Sequence, residues 1–542
     1  MREFNLISEP WIPCIDSGGA SVEFGIRDVL LNAHELREIC DDSPLVTVSI
    51  HRVLLAVLYR AYRGPEDFSS WRAMYQRGTF DPAVVDNYLH TWHDRFFLFH
   101  ERYPFMQVAG LDLNDYKEDG SVKNDKSDGL MRLIKEAPDK GGRILFDHRT
   151  YLDQQAYENN QIARMLICAQ SFAGTGIASS GRIGVKPIKP TPCQFAPGVD
   201  GMLSWLQRFS LAATLMLNLP PQPFNENDLP CWENDNIVSA AIASWNKPPL
   251  FTGPVQRFAP LSRFIRIIDN RTMFFTNGLK TAPDTSDPMK TYSRTDLQKP
   301  FQAVKLRQEK AAWRDAHALF TIDRPSLNKP PDCMNNAARA EMRGVLPRDE
   351  LSKTNIVGLV TDKDKVLLWR HERLPVPSAL MLREDLRERL GLLLRQAELV
   401  ASRINNRIHR IARLYLAPEC ESTEGRQLDK TEVSKIMNAI DPRPVFWSRL
   451  ENVFYTLLKT LPGDWDEVAD DWLPDEAQRA TLAWRGCLKK EAQHALGESI
   501  HALGTTARAI QAVARVSTEF TDEDLEPEPE IQKKGRKRGE KS

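Results

Sequence analysis

The chain lacks most of the features that announce a function. Its eight cysteines are scattered and no two are spaced as C-x-x-C, which argues against a zinc ribbon and for free thiols in a reduced, cytoplasmic setting. Net charge is -1, so any basic surface for nucleic acid must be local. No signal-peptide pattern opens the chain. No apolar run approaches the ~20 residues of a membrane span; "LLAVLY" is soon closed by Arg60. No Ser/His/Asp or Cys/His set and no isolated carboxylate pair stands out, so the chain does not read as an enzyme. A Gly-rich stretch, "AGTGIASSGRIG" (173–184), lacks the G-K-[ST] ending of a phosphate loop and follows a helix, not the strand of a dinucleotide fold.

What is present is enough apolar sequence, 42% of 542 residues, for a large domain and at least one more at roughly 100–200 residues each. Residues 1–377 mix short strands, Pro-rich connections ("KPIKPTPCQFAPG") and a few helices, expected over 49–62, 159–172 and 201–217. From Ser378 the pattern changes. Leu382, Leu386, Leu390, Leu393, Ala397, Val400, Ile404, Ile408, Ile411 and Leu414 step by three or four, as on one long amphipathic helix. Further helices fit 431–440, 445–461, 476–503 and 506–516, as in an antiparallel bundle. The expected fold is α+β: a large mixed α/β N-terminal domain (1–377), a C-terminal four-helix bundle (378–520) and a disordered charged tail (521–542).

Several stretches carry candidate chemistry. The glycines of 173–184 either let the backbone approach a ligand or form an ordinary flexible loop. His90, His93 and His100, near Asp94 and Glu101, read as surface histidines or as a metal centre; the latter would make a nuclease built on His90, His93 and Asp94. Arg403, Arg407 and Arg410 lie within about 60° on a helical wheel. Such a row either tracks a phosphate backbone or is a solvated face with internal salt bridges. Arg271 precedes a strand that ends in an Asn-Gly turn at Asn277 and Gly278. "GLVTDKDKVLLWRHERLP" (358–375) sets a charged turn against an apolar run, Val366 to Trp369, and reads as a hairpin tip on a stiff stem.

Five stretches, in order, then point one way: "FNLISEPWIPC" (4–14), "HERYPFMQV" (100–108), "FFTNGL" (274–279), "WRHERLP" (369–375) and "FWSRLENVFYTLL" (446–458). Together they resemble the large subunit of the type I-E CRISPR Cascade complex, the CasA family. The resemblance implies a non-enzymatic subunit of a crRNA-guided complex in the cytoplasm, needing no cofactor or metal. It would recognise the PAM of double-stranded target DNA, help open the duplex and dock the helicase–nuclease, alongside the subunits CasB, CasC, CasD and CasE. It places a glycine loop at Ala173, Gly174 and Gly176, a minor-groove finger at Arg271, and a strand-separating wedge at Asp362 and Lys363, where the family has glutamine. It also places a crRNA-handle or subunit contact at Phe146, Asp147 and His148, and makes Arg403, Arg407 and Arg410 a path for the displaced strand or a partner. An altogether different reading is a structural scaffold held together through Phe446 and Phe454.

Overall fold

The computed structural model describes residues 3–134, 155–177, 179–189, 192–283, 285–320, 327–346, 352–362, 365–418, 428–463, 465–466, 471–472 and 474–527. It forms two compact units, Met1–Leu382 and Arg383–Ser542. The first is a mixture of small antiparallel sheets and helices, the second is helical, in line with the α+β expectation. The short helix Ser378–Leu382 belongs to the first unit, with Ala379, Leu380 and Met381 buried.

The first unit opens on β1 (Ile12–Asp16), flanked by β2 (Ser21–Phe24) and β3 (Leu36–Ile39). The central helix α1 (Pro44–Tyr62) starts earlier than its apolar spacing alone indicates. Ser43 caps it by accepting from the Val46 N–H (3.3 Å), and Pro44 occupies the first turn, where its missing N–H costs nothing. By length and composition α1 could cross a membrane, contrary to the expectation that no run comes close. Most of it is buried inside this unit, and a helix apolar on all sides is what a large core requires. Its one buried cation, Arg52, donates to both carboxylate oxygens of Asp287 (3.2 and 2.9 Å) and lies over the Phe258 ring.

Helix α2 (Asn159–Phe172) has the expected bounds and leads into β4 (Gly176–Ile177), paired with β5 (Pro192–Cys193). Residues 201–217 are not one helix. They form β6 (Leu203–Gln207) and α3 (Leu211–Leu217), separated by a turn capped by Ser210. Four of the five β6 residues are buried on both faces of the strand, so its sequence shows no alternation to betray it.

Strands β7 (Arg263–Ile267) and β8 (Thr272–Asn277) make a hairpin. Its turn lies at residues 268–271, not at Asn277 and Gly278. Gly278 runs flat against the preceding chain, where a Cβ would sit 2.5 Å from the Leu261 carbonyl oxygen. That glycine serves close approach, not a turn. The longest hairpin is β9 (Ser352–Asp362) with β10 (Lys365–Val376), in the sheet order β6-β9-β10.

The second unit holds α4 (Glu384–Leu416), α5 (Lys430–Ala439), α6 (Arg443–Thr460), α7 (Pro474–Ile500) and α8 (Ala507–Ala514). Helix α4 buries the predicted stripe from Leu386 through Ile411. Helix α6 packs on α7 with Phe446, Leu450 and Phe454 wholly buried, and α4 packs on α5, α7 and α8. Within the stretch expected as tail, Asp522–Leu525 form a capped 3-10 turn with Leu525 buried.

Candidate nucleic-acid interface

The glycine loop is built from the end of α2 outward. Gln170 is fully buried and ties three segments together. Its amide donates to the Met106 and Arg263 carbonyls (3.0 and 2.9 Å) and accepts from the Arg263 N–H (2.9 Å). The Arg263 guanidinium then donates to the carbonyls of Ser262 (2.6 Å), Ala173 (3.3 Å), Gly174 and Gln194 (both 2.5 Å). Burial pulls its pKa down to about 10, which still leaves it charged at neutral pH. A buried cation held on four carbonyls is a clamp on the loop it touches. Ala173 is buried and Gly174 half-buried, whereas Gly176 is exposed. Gly176 has φ 157 with nothing within 4 Å of where a Cβ would stand. It is there for its backbone conformation and leaves main chain open to solvent.

Register brings cations to this loop. Gly176 faces Cys193 across the β4–β5 pair. Burial raises the Cys193 thiol, and the fields of Arg263, Arg132 and Lys280 oppose that rise. The neighbouring Thr281 N–H donates to the Gln194 side chain (3.1 Å). Lys280, just past the Asn-Gly pair, therefore stands near the glycine loop; sequence reasoning misses it because Asn-Gly reads as a turn that would lead the chain away. Arg271 is exposed at the other end of the same hairpin, separated from Arg263 by roughly 15 Å of strand. Its turn is stiff. The Asp269 carboxylate accepts from the Arg271 and Thr272 N–H groups (2.8 and 2.7 Å), and although burial raises its pKa, these bonds hold it below the ordinary carboxylate value.

On the long hairpin, Asp362 pairs with Lys365. Lys363 lies outside the described residues, as do Phe146, Asp147 and His148. The apolar run below the tip is not a buried stem: Val366, Leu367 and Trp369 are exposed on the outer half of β10, opposite buried Leu359 and Val360. The charged cluster that follows is a set of internal ties. Glu372 accepts from the Ala312 N–H (2.9 and 2.8 Å) and from Arg370 (3.3 Å), while Arg373 reaches Glu38 (3.2 Å) and Asn355 (3.0 Å) on the other face.

At the hairpin root, His51 packs on Trp205 (ring centroids 5.2 Å apart), which stacks on His371 (6.3 Å). Burial pushes His51 down to about 4, below the 6.5 of the unfolded chain. Its contribution to stability is therefore full above pH 6.5 and falls as the pH drops toward 4, by roughly 2–3 kcal/mol. In urea titrations at pH 7.5 and pH 4.5, His51→Phe should remove that part of the pH dependence; an unchanged dependence would show that His51 is not held neutral.

Elsewhere the predicted groups are divided. Arg407 is committed to Asp524 (3.1 Å) and to the Phe520 ring (3.7 Å), while Arg410 is exposed. His90 is on a helix that ends at Thr91; His93 belongs to a separate 3-10 turn, bonded to Asn5 and Asp94. His100 accepts from the Arg102 and Tyr103 N–H groups. Among the described residues no three His, Cys, Asp or Glu side chains are grouped to hold a metal.

The profile of the family described as CRISPR-associated protein Cse1 matches residues 5–495. The CRISPR-associated protein CasA/Cse1 of Thermus thermophilus is 30% identical over 535 residues, covering 96% of this chain and 97% of that protein. The crystal structure of CasA from the same organism superposes with a TM-score of 0.75 at 27% identity, over 97% of this chain and 98% of that one. A chain of a CRISPR RNA-guided surveillance complex shares the fold, with a TM-score of 0.69 at 17% identity over 95% of this chain and 99% of that one. Fold and family define the class, the non-catalytic large subunit of a type I CRISPR surveillance complex. The chain belongs to the Cse1 (CasA) family, the large subunit of the type I-E Cascade complex.

Proposed function

We propose that this chain reads the PAM of double-stranded target DNA within a crRNA-guided cytoplasmic complex, promotes duplex opening, and recruits the helicase–nuclease. The observation that carries the reading is the Arg263 clamp, which holds exposed glycine backbone in place beside Lys280. Rigid backbone plus a nearby cation suits the minor groove, whose degenerate edge pattern demands shape and charge more than a base code. Ala173, Gly174 and Gly176 form the loop. Lys280 and Arg271 are the two candidate fingers, at opposite ends of one hairpin. Asp362 and Lys363 are the wedge, and because R-loop formation is near energy balance, a small push there can tip it.

Phe146, Asp147 and His148 are proposed to meet the crRNA handle or a neighbouring subunit among CasB, CasC, CasD and CasE. Along the second unit, Arg403 and Arg410 flank the committed Arg407, and the stripe is proposed as a path for the displaced strand or a partner.

The test is PAM-dependent duplex binding by the reconstituted complex. Gly176→Asp and Lys363→Ala should each weaken it by about tenfold or more with assembly intact, since a carboxylate at the loop repels phosphate and the tip loses its cation. Lys280→Ala and Arg271→Ala tell the fingers apart, because only the true finger should lower both PAM discrimination and the salt slope. Unchanged binding in all four would overturn the assignment.

A further inference from the structure

A cavity of about 210 Å³ opens at the root of the β9–β10 hairpin, walled by Trp205, Trp369, His51 and His371 and rimmed by Glu38 and Asp42. Its hydrogen-bonding character follows from the tautomers. His51 is only 3% exposed, and its Nδ1 lies 2.9 Å from the Thr47 carbonyl oxygen. A carbonyl only accepts, so Nδ1 carries the proton, and the neutral ring keeps a bare lone pair on Nε2. No described residue donates to that nitrogen. By the same reasoning His371 donates Nε2–H to Asn355 Oδ1 (3.0 Å), an oxygen that also accepts from Arg373, and retains its lone pair on Nδ1. Glu38 receives both Gln207 (2.8 Å) and Arg373 (3.2 Å) on Oε2, leaving Oε1 open. Asp42 is exposed at the mouth, next to Asp41. The one cation on the wall, Arg373, is already spent on Glu38 and Asn355. The cavity thus offers acceptors and negative charge between flat aromatic faces.

We propose that this cavity receives an arginine side chain from a protein partner. A guanidinium is planar and weakly hydrated, donates in several directions and lies well on indole faces. A lysine ammonium matches the charge but not the slot, and nucleic acid would bring its phosphates toward Asp41 and Asp42. The neighbouring surface indicates what flanks that arginine. Trp369, His371 and Arg373 alternate along β10 and so share one face, and the bulge at Leu367 returns Val366, opposite Thr361, to that face. Val366 and Trp369 on it are 40% and 42% exposed, an apolar strip running from the cavity toward the hairpin tip. The partner segment therefore carries apolar residues beside its arginine. This surface is separate from the glycine loop and stands whether or not the PAM reading does.

The test is calorimetric titration of the full chain with the capped tripeptide acetyl-Leu-Arg-Leu-amide, its citrulline and lysine counterparts, and the nucleosides adenosine and cytidine. The arginine peptide should saturate. The uncharged citrulline peptide should bind about tenfold more weakly or worse, since it has a similar shape without the charge. Glu38→Gln combined with Asp42→Asn should weaken the arginine peptide by a similar factor. Asp42→Asn alone is a surface change that keeps the test sound if Glu38→Gln disturbs the Gln207 and Arg373 contacts. Equal binding of arginine and citrulline peptides, indifference to both acidic changes, or saturation by a nucleoside in place of the arginine peptide would each overturn the proposal.

Discussion

Arg263→Met is expected to lower stability by about 2–4 kcal/mol and to abolish PAM-dependent binding by the reconstituted complex. Four carbonyls lose the Arg263 donor at once, two of them in the glycine loop itself. Those near solvent regain water and the Ala173 carbonyl keeps the Ala196 N–H (2.9 Å); the Ser262 carbonyl sits in the interior, where an unmatched acceptor costs about 1–3 kcal/mol. Removing a buried cation that has no carboxylate opposite it returns part of that loss, which keeps the estimate moderate. The functional loss should exceed the stability loss, because a loop without its clamp must be ordered by the DNA at binding. Arg263→Lys separates the two effects. Lysine keeps the charge but lacks the planar fork, so binding should be only partly restored. Chemical denaturation and PAM-library binding provide the two readouts, and wild-type PAM discrimination in Arg263→Met would refute the clamp.

Arg52→Met is expected to cost about 3–5 kcal/mol, the penalty of leaving a buried carboxylate without its partner. Asp287 is 4% exposed, and burial raises it, but Arg52 and Lys290, with the Met289 N–H (3.1 Å), outweigh that and hold it below the usual carboxylate range. Without Arg52 the burial effect prevails and Asp287 should protonate at a higher pH. The variant should therefore recover part of its deficit as the pH is lowered, in contrast to the wild type. Adding Asp287→Asn removes the stranded charge and should restore a large share of the stability at pH 7. A double variant no more stable than Arg52→Met would show that the pair is not the source of the loss.

The stretches that identified the family are mostly fold markers. Asn5 accepts from the Ile7 N–H, Trp11 donates to the Leu6 carbonyl, and Gln107 braces Leu98 and Ile267. Gly278 lets two chains touch, and Phe446 and Phe454 fill the helical unit. Such residues read clearly in sequence because buried, geometrically demanding positions tolerate few residue types. The groups proposed to touch ligands are common surface residues, and one charged turn looks much like another. Lys280 and the acceptor-lined cavity carry no motif at all; they exist only through pairing of segments far apart in the chain.

By itself the sequence determined the amphipathic helices of the C-terminal unit, the bounds of α2 and the family, because helical periodicity and buried motif residues are local properties. Tertiary structure decided the rest. It made β6 a strand, since burial on both faces erases the alternation that would mark one. It moved the hairpin turn to residues 268–271, turned the charged run after Trp369 into internal ties, and committed Arg407 to the chain's own Asp524. Each of these depends on which partner a group meets across the fold, and hydrogen bonds and burial are settled by that meeting, not by neighbours in sequence.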